Sequence, residues 1–539
     1  MRTFVAARHL WALAFGLPLA CFDPSSLEGW PEYGEESEGS SSGGAVTTAV
    51  GTVTSDGSTG DESGDDEPAI PTLPADLPPE IFDLSVSPDL LHVAGPLMIS
   101  LGHSDDVEVI EISEVGVGPL ATLDPHQLPY EVPITGAKHN GEHTFEVVVR
   151  DHAGLRASAQ ASASVALPPT GTAVWSWEAE LGNSVVLGLA PLSDGALLAG
   201  YLFTEEGPRP RVSRLNAAGK EIWESEPFDG LGYAVAVAVQ PGGDIVAIGN
   251  RYKNDQPTTQ AMWMRRLDPV DGAAAPGWGA DGLTGERARA LTITADGSII
   301  LAGETRGADL KPLHDALLWG FGPGGDARWT SALALDLGHC ASEGDDVAFA
   351  VAALPSGGAV LAGEVRCAWD QDPNSVTRGA VAEVNSQGDP VGVWVDLEGA
   401  ESWLRGLAFA ANGDVLVSGA RRQELAADPQ PTAWRLRGDL EAALWSRALA
   451  TSSDDAMATS IAVNHDDEVV VASTVHEQMR VIKIAPDGQG PALWQQLLPL
   501  DVGPDEVHVM ALGRYDEIHL AGEATLAGIH RAWATKLAP

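Results

Sequence analysis

One repeated phrase limits what this chain can become. Residues 288–304 read ARALTITADGSIILAGE and, after a variable polar run, residues 315–329 read DALLWGFGPGGDARW. An apolar strand meets a tight Asp-Gly turn, and a second apolar strand ends in Leu-Ala-Gly. A third strand follows, then a Gly-containing turn and a strand ending in Trp. Gly, Asn and Asp are the residues that tolerate the backbone angles of such turns. The Gly or Ser closing the second strand recurs at Gly200, Gly249, Gly303, Gly363, Gly419, Ser473 and Gly522. Intervals of 49 to 60 residues make the unit a four-stranded blade, with loop insertions accounting for the differences.

Six units end in a tryptophan: Trp223, Trp278, Trp329, Trp394, Trp445 and Trp494. The seventh stops at Pro539 after its third strand, and the segment Ala173–Trp177 offers the missing fourth. The sequence therefore predicts an all-β chain whose residues 172–539 form a seven-bladed β-propeller. Its first strand completes its last blade and leaves no open sheet edge. Trp263, Trp319, Trp434 and Trp533 recur on third strands, where they are expected to pack between blades. Residues 236–250 (AVAVQPGGDIVAIGN) and 264–272 (MRRLDPVDG) resemble the delta-60 repeats of bacterial surface proteins. That likeness extends over 185–539 and implies a propeller without a known activity. Asn216–Trp223 (NAAGKEIW) is similar to the docking motif of quinoprotein-type propellers, in which Gly and Trp lock adjacent blades. That family's regular Ala-x-Asp pattern is absent here, so the likeness implies blade packing and not a quinone cofactor.

The N-terminus reads as an address. Arg2 and Arg8 flank the start of an apolar run, His9–Ala20, too short for a permanent membrane span. It ends Leu17-Pro18-Leu19-Ala20-Cys21, which resembles the lipobox of bacterial lipoproteins, with Pro18 where that family has Leu. The resemblance implies that residues 1–20 are a signal peptide. It also makes Cys21 a lipidated N-terminus and its membrane, outer membrane or cell surface, the chain's only membrane contact. An ordinary secretory signal is the alternative. Residues 21–78 are rich in Ser, Gly, Thr, Asp and Glu and cannot bury enough apolar surface to offset chain entropy, so a disordered acidic tether is expected.

Residues 79–168 carry about seven short alternating runs, among them Ile81–Val86, Leu97–Leu101, Val107–Ile112 and Gly141–Arg150. This pattern predicts a small immunoglobulin-like β-sandwich. NGEHTFEVVVRDHAGLRASA resembles the last two strands of bacterial Ig-like surface modules. Asp105, Asp106 and Asp151 read either as turn acids or as calcium ligands.

Function is less legible. A net charge of −45 argues against nucleic acid and anionic membrane surfaces as partners. Residues 79–539 contain no Gly-x-Ser-x-Gly elbow, no His-Glu-x-x-His and no phosphate-cradling loop. Short uniform turns between first and second strands mark one face of the disc as scaffold. The segments after each second strand vary, and variable loops on a rigid frame are the usual seat of binding. Acids recur there, at the starts of first strands (Glu286, Asp345, Asp346, Glu401, Asp454, Asp455, Asp505, Glu506) and after the second-strand Gly (Glu304, Glu364, Glu523). Either they converge on a cation such as calcium or a polycationic ligand, or each accepts backbone hydrogen bonds for its own blade. Cys340 and Cys367 fall at the ends of paired strands and read as a disulfide, as free thiols, or with His339 as a poor metal set.

The expected function is that of a surface lipoprotein with a non-catalytic binding propeller for an extracellular protein, glycan or cation. An exported lyase or hydrolase using the acids with His314, His476 or His530 is one alternative, and an outer-membrane assembly scaffold is another. Metabolic labelling with a fatty acid analogue should mark the full chain, and Cys21→Ser should abolish the label; label retained in that variant removes the anchor.

Overall fold

The computed structural model describes residues 77–539, apart from 180–181, 254–255, 306–313, 336–344, 367–375, 451–455, 476–477, 499–504 and 527–528. The signal segment, Cys21, the tether up to residue 76, Cys340, Cys367, Asp454, Asp455 and His476 lie outside the described residues.

Two sheets form the first folded unit. Three strands (Ile81–Ser87, Gly95–His103, Tyr130–Ile134) face five (Leu90–Leu91, Val107–Glu114, Gly118–Leu123, Gly141–Asp151, Arg156–Val165). Their alternate residues meet in one core, including Leu97, Ile99, Ile110, Phe145 and Val147. The unit is a β-sandwich. Asp151 is buried and its Oδ1 accepts the Leu155 amide at 2.9 Å, which makes it the acid of a hairpin turn; Asp105 and Asp106 are exposed.

Beyond it, the described residues form seven four-stranded antiparallel sheets. Six are consecutive in sequence. The seventh joins Asp505–Leu512, Ile518–Leu526 and Ile529–Leu537 to Ala173–Glu178, with Lys536 opposite Trp175 and Trp533 opposite Glu178. The seven innermost strands begin at Ser184, Gly232, Glu286, Asp345, Glu401, Met457 and Asp505. Each touches the next and the last touches the first, so the sheets close into a β-propeller. The turn after each inner strand has one residue in the left-handed region: Gly195, Gly243, Gly297, Gly357, Gly413, Asp467 and Asp516.

Neighbouring blades are joined by tryptophan. Each outermost-strand Trp lies under the tight turn before the next blade's outermost strand. Trp278 lies where a Cβ on Gly325 would be 2.8 Å from its ring, and Trp329 stands 2.5 Å from the equivalent point on Gly388. Both glycines have positive φ, so the position excludes a side chain twice over, by conformation and by space. The same contact joins Trp175 to Gly219, Trp223 to Gly272, Trp445 to Gly488 and Trp494 to Gly171. In the remaining pair Leu440 takes the positive φ and packs in the cluster that holds Trp394. The third-strand tryptophans Trp263, Trp319, Trp434 and Trp533 are buried against the preceding blade.

The sandwich rests on the face that carries the inner turns. Arg514 Nη2 and Tyr515 Oη reach Glu131 at 2.8 and 3.0 Å, and Lys138 pairs with Asp466. The opposite face, where inner strands begin, is left free of it.

The closing blade holds a buried titratable group. His519 is 1% exposed and stacks edge-on against Trp175 at 5.8 Å. Burial, helped by the charge of Lys536 and opposed by Glu517, depresses its pKa from 6.5 to about 4. Between those values the unfolded chain takes up a proton that the folded chain refuses, so stability falls as pH drops through that window. The full loss is on the order of 3 kcal/mol. The fall in Tm between pH 7.5 and 5 should shrink in His519→Phe, as read by circular dichroism melts; an unchanged fall means another group sets it.

Candidate functional site

The free rim is built by one irregularity repeated in every blade. Each inner strand carries a β-bulge opposite the Gly or Ser that closes the second strand, leaving Leu187, Val235, Arg289, Phe349, Arg405, Thr459 and His508 without register partners. A Cβ on Gly303 would stand 1.9 Å from the Arg287 carbonyl oxygen, so the bulged backbone presses directly on that strand. The repeated Leu-Ala-Gly thus reports a close backbone approach. The residue after the bulge is small in six blades (Gly188, Ala236, Ala290, Ala350, Gly406, Ser460), and a Cβ on Gly188 would be 2.7 Å from the Ala236 Cα of the neighbouring inner strand.

Bulge side chains of three consecutive blades meet. The Arg405 guanidinium lies 3.7 Å from the centre of the Phe349 ring and that of Arg289 5.5 Å from it. Arg289 Nη2 donates to Glu304 Oε1 at 2.8 Å, with Arg287 at 3.4 Å and His314 Nδ1 on the other carboxylate oxygen at 3.2 Å. Arg405 Nη1 donates to Glu364 Oε2 at 2.9 Å across the blade boundary, and Arg366 stands 3.7 Å from the other oxygen. Burial pushes the Glu304 carboxyl up, but Arg289, His314 and Arg287 outweigh it and hold it far below the usual range.

The other acids divide by position. Asp345 Oδ1 accepts the His314 amide at 2.8 Å, and Asp346 Oδ2 accepts the Leu335 amide at 2.9 Å, tying the fourth blade to the third. Glu286 Oε2 accepts the Leu283 amide at 2.6 Å, and burial raises its pKa. Glu401 pairs with Arg422, its partner across the sheet. Glu506 is exposed and sits opposite Glu523 in register. Glu523 faces His530 at 3.0 Å and His508 at 3.7 Å; burial raises its pKa, but the two imidazoles outweigh that and leave it at about 2. Asp505 begins the inner strand of this blade. The described acids therefore do not gather on one central point: Glu304, Glu364 and Glu401 are neutralised by arginine, and Asp345, Asp346 and Glu286 hold loop backbone.

No family model and no curated protein matches the chain. Solved structures that overlap it include a polysaccharide lyase, an ulvan lyase bound to -[GlcA(1-4)Rha3S]- (TM-score 0.43, 8% identity, 66% of this chain and 95% of that one). Streptogramin B lyase overlaps with TM-score 0.42 at 11% identity over 67% and 97% of the two chains. Drosophila semaphorin 1b overlaps with TM-score 0.39 at 8% identity over 68% and 87%. The architecture rests on the strand register of this chain, and those overlaps decide nothing about its chemistry.

Aromatic residues complete the rim beside blades 1 and 2. Tyr201 stacks edge-on with Phe203 at 5.1 Å and with Tyr233 at 6.2 Å, and Tyr233 with Tyr252 at 6.4 Å. Burial, with a contribution from Glu523, pushes the Tyr201 phenol far up, and burial brings Tyr252 to about 12, so both stay neutral. The segments expected here as loose loops, Tyr201–Arg209 and Arg251–Thr259, lie largely within strands. Second and third strands run on as extended hairpins, Gly195–Thr204 with Gly207–Asn216 and Ile245–Lys253 with Gln256–Leu267. The reason is ladder pairing continued past the second-strand Gly, unbroken in the first hairpin and shifted once after Tyr252 in the second.

The arginines, Phe349, His508 and the tyrosines were absent from the residues singled out by sequence. A signal existed: the bulge residue lies fourteen positions before the second-strand residue in six blades, as in 289 and 303 or 508 and 522. Glu304→Gln should cost about 3–5 kcal/mol in urea unfolding, because Arg289 and Arg287 lose their carboxylate. Glu506→Gln, on an exposed side chain, should stay within about 0.5 kcal/mol.

Proposed function

We propose that this protein is an exported, lipid-anchored, non-catalytic binding module, held at the outer membrane or cell surface, whose propeller rim takes an extracellular glycan. The supporting observation is the aromatic arc Tyr201, Phe203, Tyr233 and Tyr252 on the rim opposite the sandwich. Neutral phenols offer both a flat apolar face to a sugar ring and a hydroxyl to its polar edge. Arg289, Arg405 and their acids continue the rim as a fixed set of donors and acceptors. The sandwich, which precedes the propeller in the chain, occupies the other face through Glu131 and Lys138 and leaves this arc uncovered. A tether of acidic, Ser/Gly-rich composition then serves to hold the rim clear of its own membrane.

A cation in the channel is the weaker reading, since Glu304, Glu364 and Glu401 already pair with arginines. Among the described residues no helix is long and apolar enough to cross a membrane. The detergent-solubilised full chain should retain specific oligosaccharides on a glycan array. Phe203→Ala and Tyr252→Ala should each weaken retention about tenfold or more with Tm nearly unchanged. Equal binding by both variants, or release of cleaved product by the unaltered chain, overturns the proposal.

A further inference from the structure

We propose that the closing blade holds a transition-metal ion of the zinc class, ligated by Glu506, His508 and Glu523. Independently of the glycan reading, this blade departs from the pattern of the others. The residue after the second-strand Gly is an acid in three blades, as Glu304, Glu364 and Glu523. The first two are met by Arg289 and Arg405, both bulge residues. At Glu523 the bulge residue is His508, and among the described residues that carboxylate pairs with the imidazoles of His508 and His530. Arginine is a permanent cation that blocks a metal, whereas a neutral imidazole is a ligand.

The geometry is that of a nearly closed site. One ligand atom from each of Glu506, His508 and Glu523 lies within 4.8 Å of the others. A tetrahedron with bonds near 2.1 Å has edges of about 3.4 Å, so a contraction on the order of 1 Å brings all three to one ion. His508 Nε2 is itself buried and has no hydrogen-bond partner among the described residues, since Glu523 Oε1 at 3.7 Å is beyond bonding distance. That atom and that oxygen face the same gap. Glu506 and Glu523 are direct partners across the strand pair, an arrangement of like charges that is unfavourable without a cation between them. His530 Nδ1 contacts the other oxygen, Glu523 Oε2, at 3.0 Å, as the outer partner of a ligating carboxylate does. Mixed imidazole and carboxylate donors favour zinc-like ions over calcium, which prefers six or more oxygens. The residues come from the two innermost strands of the blade that Ala173–Glu178 completes at its outer edge, so the ion would bind at the axial end of that blade.

The test uses chelator-stripped full chain with its thiols blocked by alkylation, so that Cys340 and Cys367 do not compete. Zn2+ at a hundredfold excess over its Kd should raise Tm by about 4 °C, with Ca2+ giving no shift. Glu506→Gln, on an exposed side chain, and His508→Phe should each weaken Zn2+ binding in calorimetry at least tenfold, and His530→Gln by about tenfold. Absence of Zn2+ binding to the stripped chain, or binding unchanged in Glu506→Gln and His508→Phe, overturns the assignment.

Discussion

The propeller depends on an indole lying against a turn that has no room for a side chain. Every blade offers its outermost strand's Trp to the turn of the next, and in six of the seven boundaries a glycine with left-handed backbone receives it. Burying a Trp face against bare backbone removes a large apolar area from water while leaving the turn's own hydrogen bonds intact. The contact also fixes the angle between blades, because the ring meets a rigid turn and not a flexible side chain. At the closure the logic is unchanged: Gly171 precedes the latching strand and receives Trp494, while Trp175 on that strand serves Gly219. The N-terminal strand is thus a full member of the ladder.

With the blades held at the periphery, crowding is greatest at the axis. Seven inner strands approach closely enough that Gly188 and Gly406 face the backbone of neighbouring inner strands. The bulge is how each strand accommodates this, and it turns one side chain per blade out of register. What stands at that position sets the chemistry of the rim. Arginine in blades 3 and 5 neutralises the acids of blades 3 and 4, and Phe349 lies beneath both guanidiniums. Histidine in blade 7 leaves a donor set open to exchange. One backbone device therefore serves both a structural ion-pair arc and, with Glu506 and His508 where blade 3 has Arg287 and Arg289, a candidate metal centre.

Much of the fold was legible because its causes are local. A turn needs Gly, Asn or Asp, a blade boundary needs Trp, and a bulge needs Gly or Ser opposite; each leaves a residue at a fixed place in the repeat. The rim was less legible. Glu304 and Glu523 occupy the same position in their blades and read alike in sequence, yet one meets Arg289, Arg287 and His314 and the other meets His508 and His530. Asp345 and Asp346 are neighbours in an acidic run, and both spend their carboxylates on backbone amides of the preceding blade.

By itself the sequence determined the all-β class, the repeat, the turn positions and the pairing of Ala173–Trp177 with the last blade, since short-range chemistry writes these into every unit. The tertiary structure alone decided which charges are neutralised, because the arginines bonded to Glu304, Glu401 and Glu364 sit 15, 21 and 41 residues away. It also decided that the sandwich covers the turn face and leaves the bulged rim free, through Glu131 and Lys138 meeting residues more than three hundred positions later. Distances across the axis are set by ring closure, and no local pattern encodes them.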